Sequence, residues 1–200
     1  MIILSAGHDP VAKGAEYNGF NEFDEATLWV ETIRRLIADS FLYPCSVAPH
    51  SRSGNTQSAN AVLIEKVKWM NQQADVKLIV EVHFNSDESK RQRGSETLYC
   101  PGSSKGKKAA ELVQAELGGL FPPSRGAKEG WYRMDKPGHV DYPGDVDGDE
   151  KVDYLLRAVK PVALILEPEF IYNRETIESK RDAACAKLAS ACVFIAETIA

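Results

Sequence analysis

Three short apolar runs in this 200-residue chain each end in a residue that carries chemistry. Residues 2–6 read Ile-Ile-Leu-Ser-Ala and lead through Gly7 to His8. Residues 76–83 read Val-Lys-Leu-Ile-Val-Glu-Val-His83, followed by Phe84 and Asn85, and residues 161–167 read Pro-Val-Ala-Leu-Ile-Leu-Glu167. β-Branched runs of this length are expected to form buried strands. Further strands are expected near 44–48 and 94–99, and the segments 25–41, 57–73, 104–117 and 175–199 have the apolar spacing of amphipathic helices. This alternation predicts one α/β domain, a mainly parallel twisted sheet with helices on both faces. In such a fold the functional site lies at the carboxyl ends of the strands, where His8, His83 and Glu167 would be delivered.

Glu22, in the polar stretch ahead of the first helix, adds a second carboxylate to the two histidines and Glu167. Two neutral imidazoles and one carboxylate make a three-ligand zinc site with an open position, and a second carboxylate nearby can act as general base. Each residue has a plainer reading when taken singly. A strand-end histidine can be a hydrogen-bonded structural group, Glu22 an acidic first-turn residue favoured by the helix dipole, and Glu167 a solvated strand-end charge beside Pro168. The repeated passage from apolar run to candidate ligand is what favours the joint reading.

The motifs also occur in the order of a known family. Ile3-Leu-Ser-Ala-Gly-His8, Gly14-Ala15 and Asn18-Gly-Phe-Asn-Glu22 resemble the opening of the zinc-dependent N-acetylmuramoyl-L-alanine amidases of amidase family 3. Val82-His83-Phe84-Asn85 is similar to that family's histidine-x-asparagine motif, Arg125-Gly-Ala-Lys-Glu129 to its arginine-glycine-x-lysine segment, and Glu167-Pro-Glu-Phe170-Ile-Tyr-Asn173 to its closing pattern. The resemblance implies Zn²⁺ on His8, Glu22 and His83, with Glu167 as the catalytic base and Asn85 and Arg125 as candidate substrate contacts. It implies peptidoglycan as substrate, cut at the amide joining the lactyl group of N-acetylmuramic acid to L-alanine. A phage or prophage endolysin is the expected setting, in which the chain lyses the host from within. The other readings are a zinc amidohydrolase or peptidase acting on a small soluble amide, and a non-catalytic wall-binding domain.

Departures from the pattern fall in two places. Val47-Ala-Pro-His50-Ser-Arg52 stands where the family shows a threonine-arginine pair, so His50 has no family role and is expected to be an exposed loop histidine. Residues 131–144 form an insert expected to make a loop beside the cleft. After it, the alternating aspartates Asp145, Asp147 and Asp149 suggest a calcium loop, but Glu150 and Leu156 occupy the positions that need glycine and a bidentate acid. An ordinary polar turn is the better reading.

Composition bounds the remaining possibilities. With 44% hydrophobic residues and no second compositional regime, residues 1–200 are expected to be a single catalytic domain without a separate cell-wall-binding module. A net charge of −5 gives no electrostatic support for nucleic-acid binding, and the clusters at Lys90-Arg91 and Lys107-Lys108 read as solvated surface. The four cysteines show no metal or redox spacing, and Cys185 and Cys192 fall on one helix face as small core residues. No run is long enough for a membrane span and no leader pattern opens the chain, so cytoplasmic synthesis followed by holin-type or other release to the wall is expected. The sequence assigns no oligomeric state.

Overall fold

A computed structural model of the chain describes residues 1–50, 59–130 and 154–200. Its centre is a six-stranded sheet of β1 (Ile2–Ala6), β4 (Cys45–Val47), β5 (Leu78–Val82), β6 (Ser95–Tyr99), β7 (Ser124–Glu129) and β8 (Val162–Glu167), in the order β4-β1-β5-β8-β6-β7. The first four neighbours, β4, β1, β5 and β8, run parallel. β6 pairs antiparallel with β8 and parallel with β7, so the last two strands run opposite to the rest. The mainly parallel sheet expected from the sequence is present, and this reversal is what the sequence pattern did not show. Its consequence is positional: the starts of β6 and β7 lie at the same sheet end as the finishes of β1, β5 and β8.

Strand side chains alternate between the two faces, and each face has its own cover. Ile2, Leu4, Leu78, Val80, Leu164 and Leu166 pack into one buried cluster with α1 (Glu22–Ser40), α3 (Ser104–Leu120) and α5 (Arg174–Thr198). Ile3, Ile79, Ala163 and Ile165 face the other way onto α2 (Ala59–Gln72) and the short α4 (Tyr154–Ala158). The expected helices at 25–41, 57–73, 104–117 and 175–199 all form, within three residues of the expected limits. α4, β7 and a small hairpin of β2 (Glu16–Tyr17) with β3 (Phe20–Asn21) were not anticipated. All four cysteines are free, and Cys185 and Cys192 lie buried on α5 as expected. The 131–144 insert and residues 145–153 of the aspartate-rich segment lie outside the described residues. Among the described residues no helix is long and apolar enough to cross a membrane.

α1 starts where it does for a local reason. The Asn21 side chain accepts a hydrogen bond from the Asp24 N–H at 2.9 Å, capping the helix, and Glu22, Asp24 and Glu25 put three acids at the positive end of its dipole. One turn on, the buried Glu25 carboxylate accepts a forked pair of hydrogen bonds from Arg181 of α5, at 2.7 and 2.8 Å, and one from Trp29 Nε1 at 2.8 Å. This ties α5 to the helix that carries Glu22. Replacing Arg181 by Met strands the Glu25 charge, so unfolding in urea is expected to show a loss of about 3 kcal/mol; a loss below about 1 kcal/mol would contradict this role.

Candidate metal centre

The backbone at the end of β1 sets the first donor. Gly7 N–H continues the ladder by donating to the Val82 carbonyl at 2.7 Å, and His8 then turns out of the sheet with a φ of 64°. A glycine before it is required by space: a Cβ on Gly7 would stand 2.3 Å from the His83 ring. On the adjacent strand, His83 follows β5 and is held by its N–H donating to the Leu166 carbonyl at 2.8 Å. The two imidazoles meet edge to face with centroids 5.1 Å apart.

Glu22 joins them. Its buried carboxylate sits in the first turn of α1, where Oε2 lies 3.0 Å from His8 Nε2 and Oε1 lies 2.8 Å from His83 Nδ1. Each oxygen also accepts one backbone N–H, from Phe84 at 3.1 Å and from Ala15 at 3.0 Å. Burial alone would raise the Glu22 carboxyl, but the two facing imidazoles outweigh it and hold it well below the ordinary carboxylate range. Burial opposes a charge on His83, yet Glu22 and Glu81 on its two sides raise its pKa well above the ordinary value. Ligation of a metal ion by His83 therefore displaces a proton.

One donor atom from each of His8, Glu22 and His83 falls within 4.8 Å of the others. Two nitrogens and one oxygen in this compass suit a borderline divalent ion such as zinc. The cradle is close-fitting, because a Cβ on Gly14 would come 2.5 Å from Glu22 Oε2 and from the His8 ring. These three residues are the ones sequence reasoning grouped, and the fold brings them together.

Glu167 ends β8 at the same sheet edge. Its Oε2 is buried with no hydrogen-bond partner among the described residues. Burial pushes this carboxyl well above the ordinary range; the charges of Glu22 and Glu96 push the same way, against the His83 and Arg125 cations. Glu167 is half-buried and not simply the solvated strand-end charge of the plainer reading, because that oxygen is shut off from solvent. Glu96 stands opposite Glu167 across the antiparallel β6–β8 pair. Its carboxylate accepts from Asn85 Nδ2 at 2.9 Å, from Arg125 Nε at 3.1 Å and from Lys128 Nζ. Asn85 and Arg125 therefore converge on one buried acid, and the Arg125 guanidinium also lies 5.0 Å from the Phe170 ring centre.

Sequence reasoning missed Glu96, and also Glu81, a charged residue inside the fully buried strand β5. In each case an acid in a β-rich run was the available signal. It also placed His50 wrongly, as an exposed loop histidine. β4 leaves the sheet after Val47, and the partly buried His50 ring replaces it as acceptor for the Ala6 N–H at 3.3 Å, packing edge-on against Phe23. Burial, with the Lys66 ammonium nearby, holds the imidazole down at about 4 against an ordinary 6.5. Between those two values the unfolded chain binds a proton at His50 that the folded chain does not, so stability is lost as pH falls through this window. Metal-free His50→Gln is expected to lose stability less steeply than wild type between pH 6.5 and 4, by up to about 1.4 kcal/mol per pH unit. Superimposable pH profiles would contradict the buried neutral ring.

Comparison with known proteins agrees with this architecture. No curated protein matches the chain. Among solved structures, the catalytic domain of the CD27L endolysin, which targets Clostridia difficile, is 20% identical with a TM-score of 0.68, covering 96% of both chains. The CwlD amidase of Clostridioides difficile, solved with the GerS lipoprotein, is 20% identical with a TM-score of 0.72, covering 97% of this chain and 94% of that one. The N-acetylmuramoyl-L-alanine amidase AmiC2 of Nostoc punctiforme is 14% identical with a TM-score of 0.69, covering 97% and 96%. At these identities the likeness speaks for the fold, while the family model described as N-acetylmuramoyl-L-alanine amidase matches residues 2–194, and on that match the chain belongs to this amidase family.

Proposed function

We propose that the protein is a zinc-dependent N-acetylmuramoyl-L-alanine amidase that hydrolyses the amide between the lactyl group of N-acetylmuramic acid and the L-alanine of the stem peptide. The observation that carries this reading is the convergence of His8, Glu22 and His83 beside Glu167, whose Oε2 is buried, in a chain of this family. His8 Nε2, one Glu22 oxygen and His83 Nδ1 would hold the ion. Zn²⁺ bound there supplies Lewis acidity, lowering the pKa of water from about 15.7 toward ~7 and polarising a carbonyl.

The protein's own groups do the proton work. Glu167 takes the proton of the attacking water at a carboxylate oxygen and returns it to the departing alanine nitrogen. Its burial suits both halves of that task, because a carboxyl raised above its ordinary pKa accepts a proton more readily and keeps it for long enough to deliver it. Glu96 stands across the strand pair from Glu167 and is neutralised by Arg125 and Lys128, so the two acids need not compete for one proton. Asn85 acts through Glu96, which it holds in place, and the Arg125 side chain, 27% exposed, is available to substrate.

We place this activity in host-cell lysis, with the protein made in the cytoplasm and released to the wall through a holin-type route. The fold is shared with the catalytic domain of an endolysin and equally with other wall amidases, so the setting fits that likeness without resting on it.

Incubating the zinc-loaded protein with purified peptidoglycan is expected to free the amino groups of L-alanine. Glu167→Gln should retain zinc and lose about 10²- to 10⁴-fold in rate. Bound zinc with no release of alanine amines would overturn the amidase reading, and full activity in Glu167→Gln would remove Glu167 from the chemistry. Gly7→Ala, which drives a methyl group into the His83 ring, is expected to weaken zinc at least tenfold in a chelator competition; unchanged affinity would contradict the claim that the glycine is needed to seat the His83 ring at the ion.

A further inference from the structure

His83 presents a different nitrogen to each of two carboxylates. Nδ1 faces Glu22 Oε1 at 2.8 Å, on the side of His8, while Nε2 faces Glu81 Oε1 at 3.1 Å, on the opposite side of the ring. Glu81 lies two residues before His83 in β5, where the strand's alternation points both side chains the same way. Its carboxylate belongs to no other function described above and is almost wholly removed from solvent.

Glu81 is itself held from behind. Its Oε2 accepts from Ser5 Oγ of β1 at 2.6 Å and from Lys66 Nζ of α2. Lys66 is as deeply buried as Glu81, and its ammonium also donates to the Ala6 carbonyl at 3.4 Å. A buried ion pair of this kind is seldom gained for stability alone, since two well-packed apolar side chains would serve about as well. Its placement against the unused nitrogen of a candidate metal ligand gives it a different use. A carboxylate that accepts from one ring nitrogen of a histidine fixes the tautomer, aims the other nitrogen and raises its basicity toward a metal.

We propose that Glu81, anchored by Lys66 and Ser5, is a positioning residue of the metal centre: it accepts a hydrogen bond from the Nε2–H of His83 and so commits Nδ1 to the ion. The inference rests on the metal-site reading above and extends it through three residues on two strands and a helix. Lys66 connects α2 to the centre, on the sheet face opposite the one that α1 covers. Glu81 does not touch substrate or ion; it acts through His83.

The test uses the whole protein and zinc alone. Lys66→Met with Glu81→Met removes both charges together, so no unpaired buried charge remains, and zinc affinity is read by competition with a chromophoric chelator. An affinity about 10–100-fold weaker than wild type is expected. Lys66→Met with Glu81→Gln, which restores an oxygen for the Nε2–H, should recover part of that loss. The tautomer of His83 in zinc-loaded wild type, read from its ¹⁵N–¹H ring correlations, should show Nε2 protonated and Nδ1 bound. If the double Met variant folds and binds zinc as tightly as wild type, or if the wild-type ring is bound through Nε2, the proposal is overturned whatever the stability of the variants. Failure of wild type to bind zinc at all would instead overturn the metal-site reading on which it rests.

Discussion

The bridge made by one carboxylate between two imidazoles is the interaction on which the rest of this structure depends. Glu22 can face His8 and His83 at 3.0 and 2.8 Å only because α1 begins at that residue, with an Asn21 cap and a backbone N–H on each carboxylate oxygen. Without an ion, imidazole and carboxylate partly neutralise one another in a half-buried setting, which offsets the cost of gathering such groups. With an ion, the same three donors are already oriented. Much of the packing serves this constraint: Gly7 and Gly14 leave room for the rings, and Arg181 ties the helix that carries Glu22 to α5.

Sheet topology does the remaining placement. Parallel β1, β5 and β8 deliver His8, His83 and Glu167 from their carboxyl ends, the usual location of chemistry in open α/β sheets. The reversed pair β6 and β7 then contributes Glu96 and Arg125 from near its starting ends. A fully parallel sheet would carry those two residues to the far side of the molecule. The antiparallel join at β8 therefore completes the site with charged groups that the four parallel strands do not supply.

How much of this was legible in the sequence follows from which forces act locally. The strands at 2–6, 76–83 and 161–167 and the four long helices were readable because periodic burial writes itself into neighbouring residues. His8, His83 and Glu167 were readable because each follows directly on such a run, and Glu22 because it precedes a helix. The direction of β6 was not readable, since strand pairing is decided by partners distant in the chain. For the same reason Asn85 and Arg125 could be singled out but not joined, their common partner Glu96 lying in a different strand from either. His50 misled because its polar, Pro-flanked setting resembles a surface loop, whereas its ring fills the place of a departing strand. Glu81 went unremarked although an acid in the middle of Leu-Ile-Val-Glu-Val is itself unusual.

The proposed function stands or falls on one zinc ion held by His8, Glu22 and His83 with a position left for chemistry. X-ray absorption at the zinc edge, combined with the anomalous difference map of a zinc-loaded crystal, measures this directly. A single anomalous peak is expected between those three side chains, with two nitrogen and one oxygen protein ligands at about 2.0–2.2 Å and a remaining non-protein ligand. A peak elsewhere in the fold, a sulfur ligand, or a fourth protein ligand closing the site would contradict it.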